Sequence, residues 1–274
     1  MFNKILVLAP LHNIGTTSVT CGIAHTLAIR GISTTLLYTD TKNDLAVNFG
    51  LGDVDASPSN ISMIASTMTE RSLNSKVILE YSHKIPSVDN LHILNVGSTT
   101  IDSYSRDLVL NLILDKLPTQ VCIVDVAEGL EDERIQDLIE KVDCIFVVLI
   151  MSQECINLFN NWMESGLLPQ EKVFPIVNYY NENVMPIQKF AALINLLPSR
   201  MNKVHYNAFI TRCTLMQAMY ELVPQIEKKD PRVAQLSGDF DRIYSTILDA
   251  YQEKRFAFNL EDSIAKVKSK LNMT

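Results

Sequence analysis

The chain has 274 residues, 47% of them hydrophobic and 20% charged, which is enough for one large core and short of what two ordinary domains need. A net charge of −7 and a pI near 5.3 exclude a broad nucleic-acid-binding face, because Lys and Arg on phosphates supply most non-specific affinity. The five cysteines, Cys21, Cys122, Cys144, Cys155 and Cys213, are odd in number and lack C-x-x-C spacing, so they read as buried free thiols in a reducing compartment.

Met1-Phe2-Asn3-Lys4 leads straight into an apolar run without a charged leader or a small-residue cleavage site, so a cytoplasmic location is expected. In chain order, the apolar runs predict strands over 5–8, 35–38, 91–96, 121–124, 144–150 and 173–177, with a weaker one over 203–206. Amphipathic stretches between them predict helices over 17–30, 59–68, 105–117, 131–142, 153–165 and 186–196. The longest apolar run, Cys144 to Met151, falls far below the roughly 20 residues that cross a bilayer and reads as a buried strand.

Alternating strands and helices of this kind wind a mostly parallel sheet, and strands apolar on both faces need helices on both sides. The expected fold is therefore an α/β, doubly wound sheet with ligands beyond the carboxyl ends of its strands. One domain is expected over 1–255. The tail over 256–274 carries Leu260, Ile264, Val267 and Leu271 at helical spacing. Its early acids and late lysines suit a helix dipole, and it either packs on the domain or makes peripheral membrane contact; the narrow stripe favours packing. Lys228, Lys229 and Arg232 form a second local basic group, most simply read as a solvated helix face.

The first strand ends at Leu8-Ala9-Pro10, the loop Leu11-His12-Asn13-Ile14-Gly15-Thr16-Thr17-Ser18 follows, and a helix opens at once. A strand, loop and helix in this order place backbone N–H groups and a helix N-terminus around an anion. This stretch resembles the start of ParA/MinD-type P-loop ATPases (the SIMIBI class), whose deviant Walker A loop reads K-G-G-V-G-K-T-[TS]. Gly15, Thr17 and Ser18 match, and Ile14 stands for Val. Leu11 stands at the signature lysine, His12 and Asn13 at two glycines, and Thr16 at the P-loop lysine.

Further motifs follow in the family's order. Tyr38-Thr39-Asp40 lies at a D-x-D place, Asp44-Leu45 through Leu51 continues the match, and Val121 to Leu130 resembles a Walker B strand and turn. Val177-Asn178-Tyr179-Tyr180 is similar to a V-L-N-R-Y segment, and His205-Tyr206-Asn207 to a V-P-Y-D-like strand end. The resemblance covers about residues 4–250 and is nearest to the TadZ/CpaE-like branch, which positions Tad-type pilus machinery and whose loops often lack the P-loop lysine.

The resemblance implies a nucleotide site formed by His12, Asn13, Ile14, Gly15, Thr16, Thr17, Ser18, Asn178, Tyr206 and Asn207, with ATP and Mg as cofactors. Thr17 and Asp125 would hold the Mg, and Asp40 would orient the attacking water. Asp40 also fits an ordinary strand-end turn or helix cap, and Asn178 a strand-terminating turn. Asp125 ends an apolar strand, where a carboxylate is costly without a partner.

A lysine on the β- and γ-phosphates is worth roughly 1.5–3 kcal/mol, so two missing lysines remove on the order of 3–6 kcal/mol. The loss falls more heavily on hydrolysis than on binding, because phosphoryl transfer depends on positioning and charge stabilisation. The expectation is a positioning protein with weak or no ATPase activity that acts as a homodimer and binds a protein partner of a cell-surface machine. The alternatives are an active partitioning ATPase, with a displaced cation such as Lys42, and a nucleotide-free binding module. No metal-ligand spacing, G-x-S-x-G or G-x-G-x-x-G is present in the sequence.

Overall fold

The computed structural model describes residues 4–39, 49, 51, 64–65, 74–85, 88–96, 103–126, 133–216 and 218–249. Asp40, Lys42, Asp44, Leu45, the turn over 127–130, most of the helix expected over 59–68 and the tail over 256–274 lie outside them.

All seven expected strands are present: β1 (Lys4–Leu8), β2 (Thr34–Tyr38), β4 (Leu91–Asn95), β5 (Val121–Asp125), β6 (Cys144–Leu149), β7 (Val173–Tyr180) and β8 (Asn202–His205). An eighth, β3 (His83–Lys84), pairs antiparallel to β4 at the sheet edge. The order across the sheet is β3-β4-β2-β5-β1-β6-β7-β8, and every other pairing is parallel. β2, β5 and β6 are buried along their whole length, which is why 121–124 and β6 read as unbroken apolar runs rather than as alternating ones.

The helices are α1 (Thr16–Ile29), α2 (Ser75–Glu80), α3 (Ser103–Lys116), α4 (Glu133–Lys141), α5 (Gln153–Glu164), α6 (Ile187–Leu193), α7 (Ala208–Leu215), α8 (Leu222–Glu227) and α9 (234–249). Their layering follows from the strand order. α1 carries the chain from β1 towards the β4 side, whereas α3, α4, α5 and α6 carry it the opposite way, from β4 through β5, β6 and β7 to β8. Parallel crossovers are right-handed almost without exception, so these two sets occupy opposite faces. α9 joins the α1 face, where Gly22 of α1 receives the ring of Phe240.

Several side chains fix the outer elements. Asn74 caps α2 by accepting from the amides of Lys76 and Val77, and Ser152 caps α5 by accepting from Cys155. Asp239 on α9 accepts from the backbone amide of His205 at 2.9 Å and pairs with its ring Nδ1 at 2.9 Å, tying the end of β8 to the last described helix. All five cysteines are buried and free. Among the described residues no helix is long and apolar enough to cross a membrane.

Candidate functional site

β1 lies between β5 and β6, and the connections leaving β1 and β5 run in opposite directions along the sheet. Divergence of this kind opens a crevice beyond the carboxyl ends of the two strands. The loop over 9–15 closes β1 and Asp125 closes β5, so both sequence motifs meet at that crevice. Register confirms the alignment, because Val7 pairs with Asp125 and the amide of Val126 donates to the Val7 carbonyl at 3.1 Å.

The loop turns twice through the left-handed region, at Asn13 (φ 59°) and Gly15 (φ 83°). Asn tolerates that region better than most residues, which explains how the chain does without a glycine at position 13. His12 and Asn13 are exposed, so neither side chain plugs the loop. Ile14 is buried and anchors the turn to the core. Gly15 then opens α1 as its N-cap without a side-chain cap. Residues 12 and 13 form a tight turn ahead of α1. The loop thus leads directly into the N-terminus of α1, where the partial positive charge of a helix is greatest.

Two residues from β7 hold the loop in place. Asn178, only 4% exposed, donates its side-chain amide to the Ile14 carbonyl at 2.8 Å. A Cβ on Gly15 would lie 2.4 Å from the Asn178 Nδ2 and 3.0 Å from the Tyr179 hydroxyl, so glycine is required there by space as well as by φ. Tyr179 itself has φ 52°, which turns its ring out beside the loop.

Asp125 is 7% exposed, and Thr20 Oγ1 donates to its Oδ1 at 3.1 Å while lying 3.0 Å from the Thr16 carbonyl. Burial pushes the neighbouring Cys21 thiol well above its usual range, and the Asp125 charge adds to that shift. Ser18 shares a 2.8 Å hydrogen bond with Thr214 of α7, joining the start of α1 to the region beyond β8. Leu11, at the place where the resemblance implies a lysine, packs partly buried against the core.

The remaining nucleotide-site candidates lie at the N-termini of two helices and beside Tyr179. Asn207 is the N-cap of α7, accepting from Phe209 and Ile210 and donating to the Arg232 carbonyl at 2.8 Å. Tyr206 is 60% exposed, and its ring centroid lies 6.4 Å from that of Tyr179. Thr16 and Thr17 are partly buried at the first turn of α1. Asp40 falls outside the described residues. Sequence reasoning missed Thr20 and Tyr179; a hydroxyl one helical turn after Thr16, and a tyrosine next to Asn178, were the available signals. No cluster of three or more His, Cys, Asp or Glu suited to a metal occurs among the described residues.

Removal of the Thr20 hydroxyl takes away a donor from a buried carboxylate, which costs about 1–3 kcal/mol. Thr20→Val is expected to lower stability by that amount and Thr20→Ser to restore it, measured by urea denaturation.

No family model matches the chain, and no curated protein matches it. Solved structures do. A ParA family ATPase from Chlorobium tepidum TLS is 12% identical and superposes with a TM-score of 0.67, covering 88% of this chain and 97% of its own. The fold is that of the ParA/MinD P-loop ATPases. MinD of Aquifex aeolicus, solved as a MinC:MinD cell division protein complex, is 14% identical with a TM-score of 0.65, covering 89% and 96%. The septum site-determining protein MinD from Pyrococcus horikoshii OT3, complexed with Mg-ADP, is 16% identical with a TM-score of 0.63, covering 88% and 94%. On the ParA/MinD fold, the loop over 9–15 and Asp125 occupy the crevice that strand order alone selects.

Proposed function

We propose that this chain is a non-catalytic or barely catalytic ParA/MinD-like positioning protein with a degenerate nucleotide site. It acts as a localisation or assembly factor through homodimerisation and partner binding, with a Tad-type pilus or secretion machine as the structure served. One observation carries the reading: the loop over 9–15 joins β1 to α1 at the switch point of the sheet, and a core-packed Leu11 and a neutral Thr16 stand where the resemblance places two lysines.

The residues present suit a polyphosphate better than they suit its hydrolysis. Open amides and a helix N-terminus bind phosphate without side-chain charge. Thr17 and Asp125 are the pair that would hold Mg, which supplies the charge that draws the phosphates together. Leu11 and Thr16 bring no positive charge to a transferring phosphoryl group, the term on which turnover depends most. Two solved neighbours, one with Mg-ADP and one with MinC, are in keeping with a nucleotide and a protein partner here.

Equilibrium dialysis with Mg-ATP, paired with steady-state phosphate release, tests the proposal. Saturable binding with release at or near background is the expected outcome. Turnover on the scale of an active partitioning ATPase would replace the proposal with that reading, and absence of binding would replace it with a nucleotide-free module.

A further inference from the structure

We infer that Thr20 is a positioning residue for the magnesium end of the site: its hydroxyl sets the Asp125 carboxylate relative to Thr17. This rests on the nucleotide-binding reading above and concerns how the same site holds its ion. Thr17 and Asp125 come from different elements, α1 and the end of β5, so a contact between those elements decides how the two stand to each other. The Asp125 main chain is fixed by its neighbours in the sheet. Its carbonyl accepts from the Thr39 amide at 3.1 Å, and the Val126 amide that follows it donates to Val7. What the sheet leaves to be set is the carboxyl group, through its side-chain torsions.

Thr20 sets it from α1. The residue is fully buried and follows Thr17 on the same helix, at a spacing that makes the two neighbours on the helix surface. Its Oγ1 lies 3.0 Å from the Thr16 carbonyl and 3.1 Å from Asp125 Oδ1. Contact with the carbonyl one turn back holds a helical threonine in one rotamer, so the hydroxyl is presented at a fixed place. A hydroxyl has a single proton to give, and a carboxylate is a stronger acceptor than a peptide carbonyl, so the proton goes to Asp125. The bond engages one carboxylate oxygen from the α1 side and ties the group to the helix that carries Thr17. A valine at position 20 keeps the shape and loses this control. Hydrogen bonds of this kind orient metal-binding carboxylates, and their loss costs about 10–100-fold in metal affinity.

Calorimetric titration of ATP into the full chain, once in magnesium and once in EDTA, gives the factor by which the ion tightens binding. Thr20→Val is expected to cut that factor about tenfold or more while leaving affinity in EDTA within about threefold of the wild type. Thr20→Ser returns the hydroxyl and is expected to recover the factor to within about threefold. Thr20→Ala serves the same comparison should the valine not fit against the carboxylate. If ATP binds only with the ion, the half-saturating magnesium concentration at fixed ATP replaces the factor, raised about tenfold in Thr20→Val and unchanged in Thr20→Ser. Equal losses with and without the ion would make Thr20 a structural residue and overturn the inference. An unchanged factor in Thr20→Val, or a wild type whose binding owes nothing to the ion, overturns it too. All three leave the proposed function standing. Absence of ATP binding in both media overturns the proposed function itself, and the inference with it.

Discussion

Gly22→Ala is expected to destabilise the protein by about 2–3 kcal/mol, although alanine is the better helix former by roughly 1 kcal/mol. A Cβ at position 22 would stand 1.9 Å from Cζ of Phe240 and within 2.5 Å of two more ring carbons. Phe240 is buried on α9, and its ring fills the notch that glycine leaves in the middle of α1. Neither helix can retreat freely, because α1 lies on the sheet and α9 is tied to β8 through Asp239 and His205. Overpacking a close-packed core forces off-rotamer side chains or backbone shifts. The double variant Gly22→Ala/Phe240→Leu is expected to be at least 1 kcal/mol more stable than the sum of the single changes, since the smaller side chain vacates the clash. Urea denaturation of the four proteins measures the coupling. Additive values would mean that α1 and α9 do not meet at this point.

His25→Leu should stabilise the chain, and increasingly so as pH falls. His25 lies fully buried on α1, its ring edge-on to Phe49 at 4.8 Å, and among the described residues neither ring nitrogen has a hydrogen-bond partner. An unsatisfied buried polar group of this kind costs about 1–3 kcal/mol, which leucine removes at any pH. Burial also lowers the imidazole pKa from 6.5 to about 3. The folded pKa lies below the unfolded one, so between the two the unfolded chain holds the extra proton. The related stability is complete above 6.5 and is lost as pH falls towards 3, at about 1.4 kcal/mol per pH unit. By pH 5 the advantage of the leucine variant is expected to have grown by about 2 kcal/mol over its value at pH 7.5. His83 and His92 are shifted the same way by burial and are present in both proteins, so the comparison isolates His25. Parallel stability profiles for the two proteins would show that His25 is solvated or paired in solution.

The sheet was legible in the sequence because its strands are buried on both faces and so appear as unbroken runs such as Cys144 to Leu149. β3 was not, since two residues at an edge carry no period. α7 and α9 were missed for a different reason. Both follow the last strand, where no further βα alternation frames them, and α7 is capped by Asn207, which the resemblance places in the nucleotide site. Within the site, the loop was legible from Gly15 and the helix that follows. Thr20 was not, because an apolar helix face gives no sign that one of its hydroxyls reaches a carboxylate 105 residues away. The destination of the Asn178 amide depends on the left-handed turn at Asn13 and Gly15, which brings the Ile14 carbonyl under β7. A pattern of letters does not carry that path.

On the proposed function, the loop over 9–15 binds polyphosphate through main-chain amides without cationic side chains. Isothermal titration of the full chain and of Gly15→Ala with Mg-ATP addresses it most directly. The wild-type chain is expected to give saturable heat, and the variant none, because its new methyl group would drive Asn178 and Tyr179 away from the loop. Equal binding by both proteins, or no heat from the wild type, would contradict the claim.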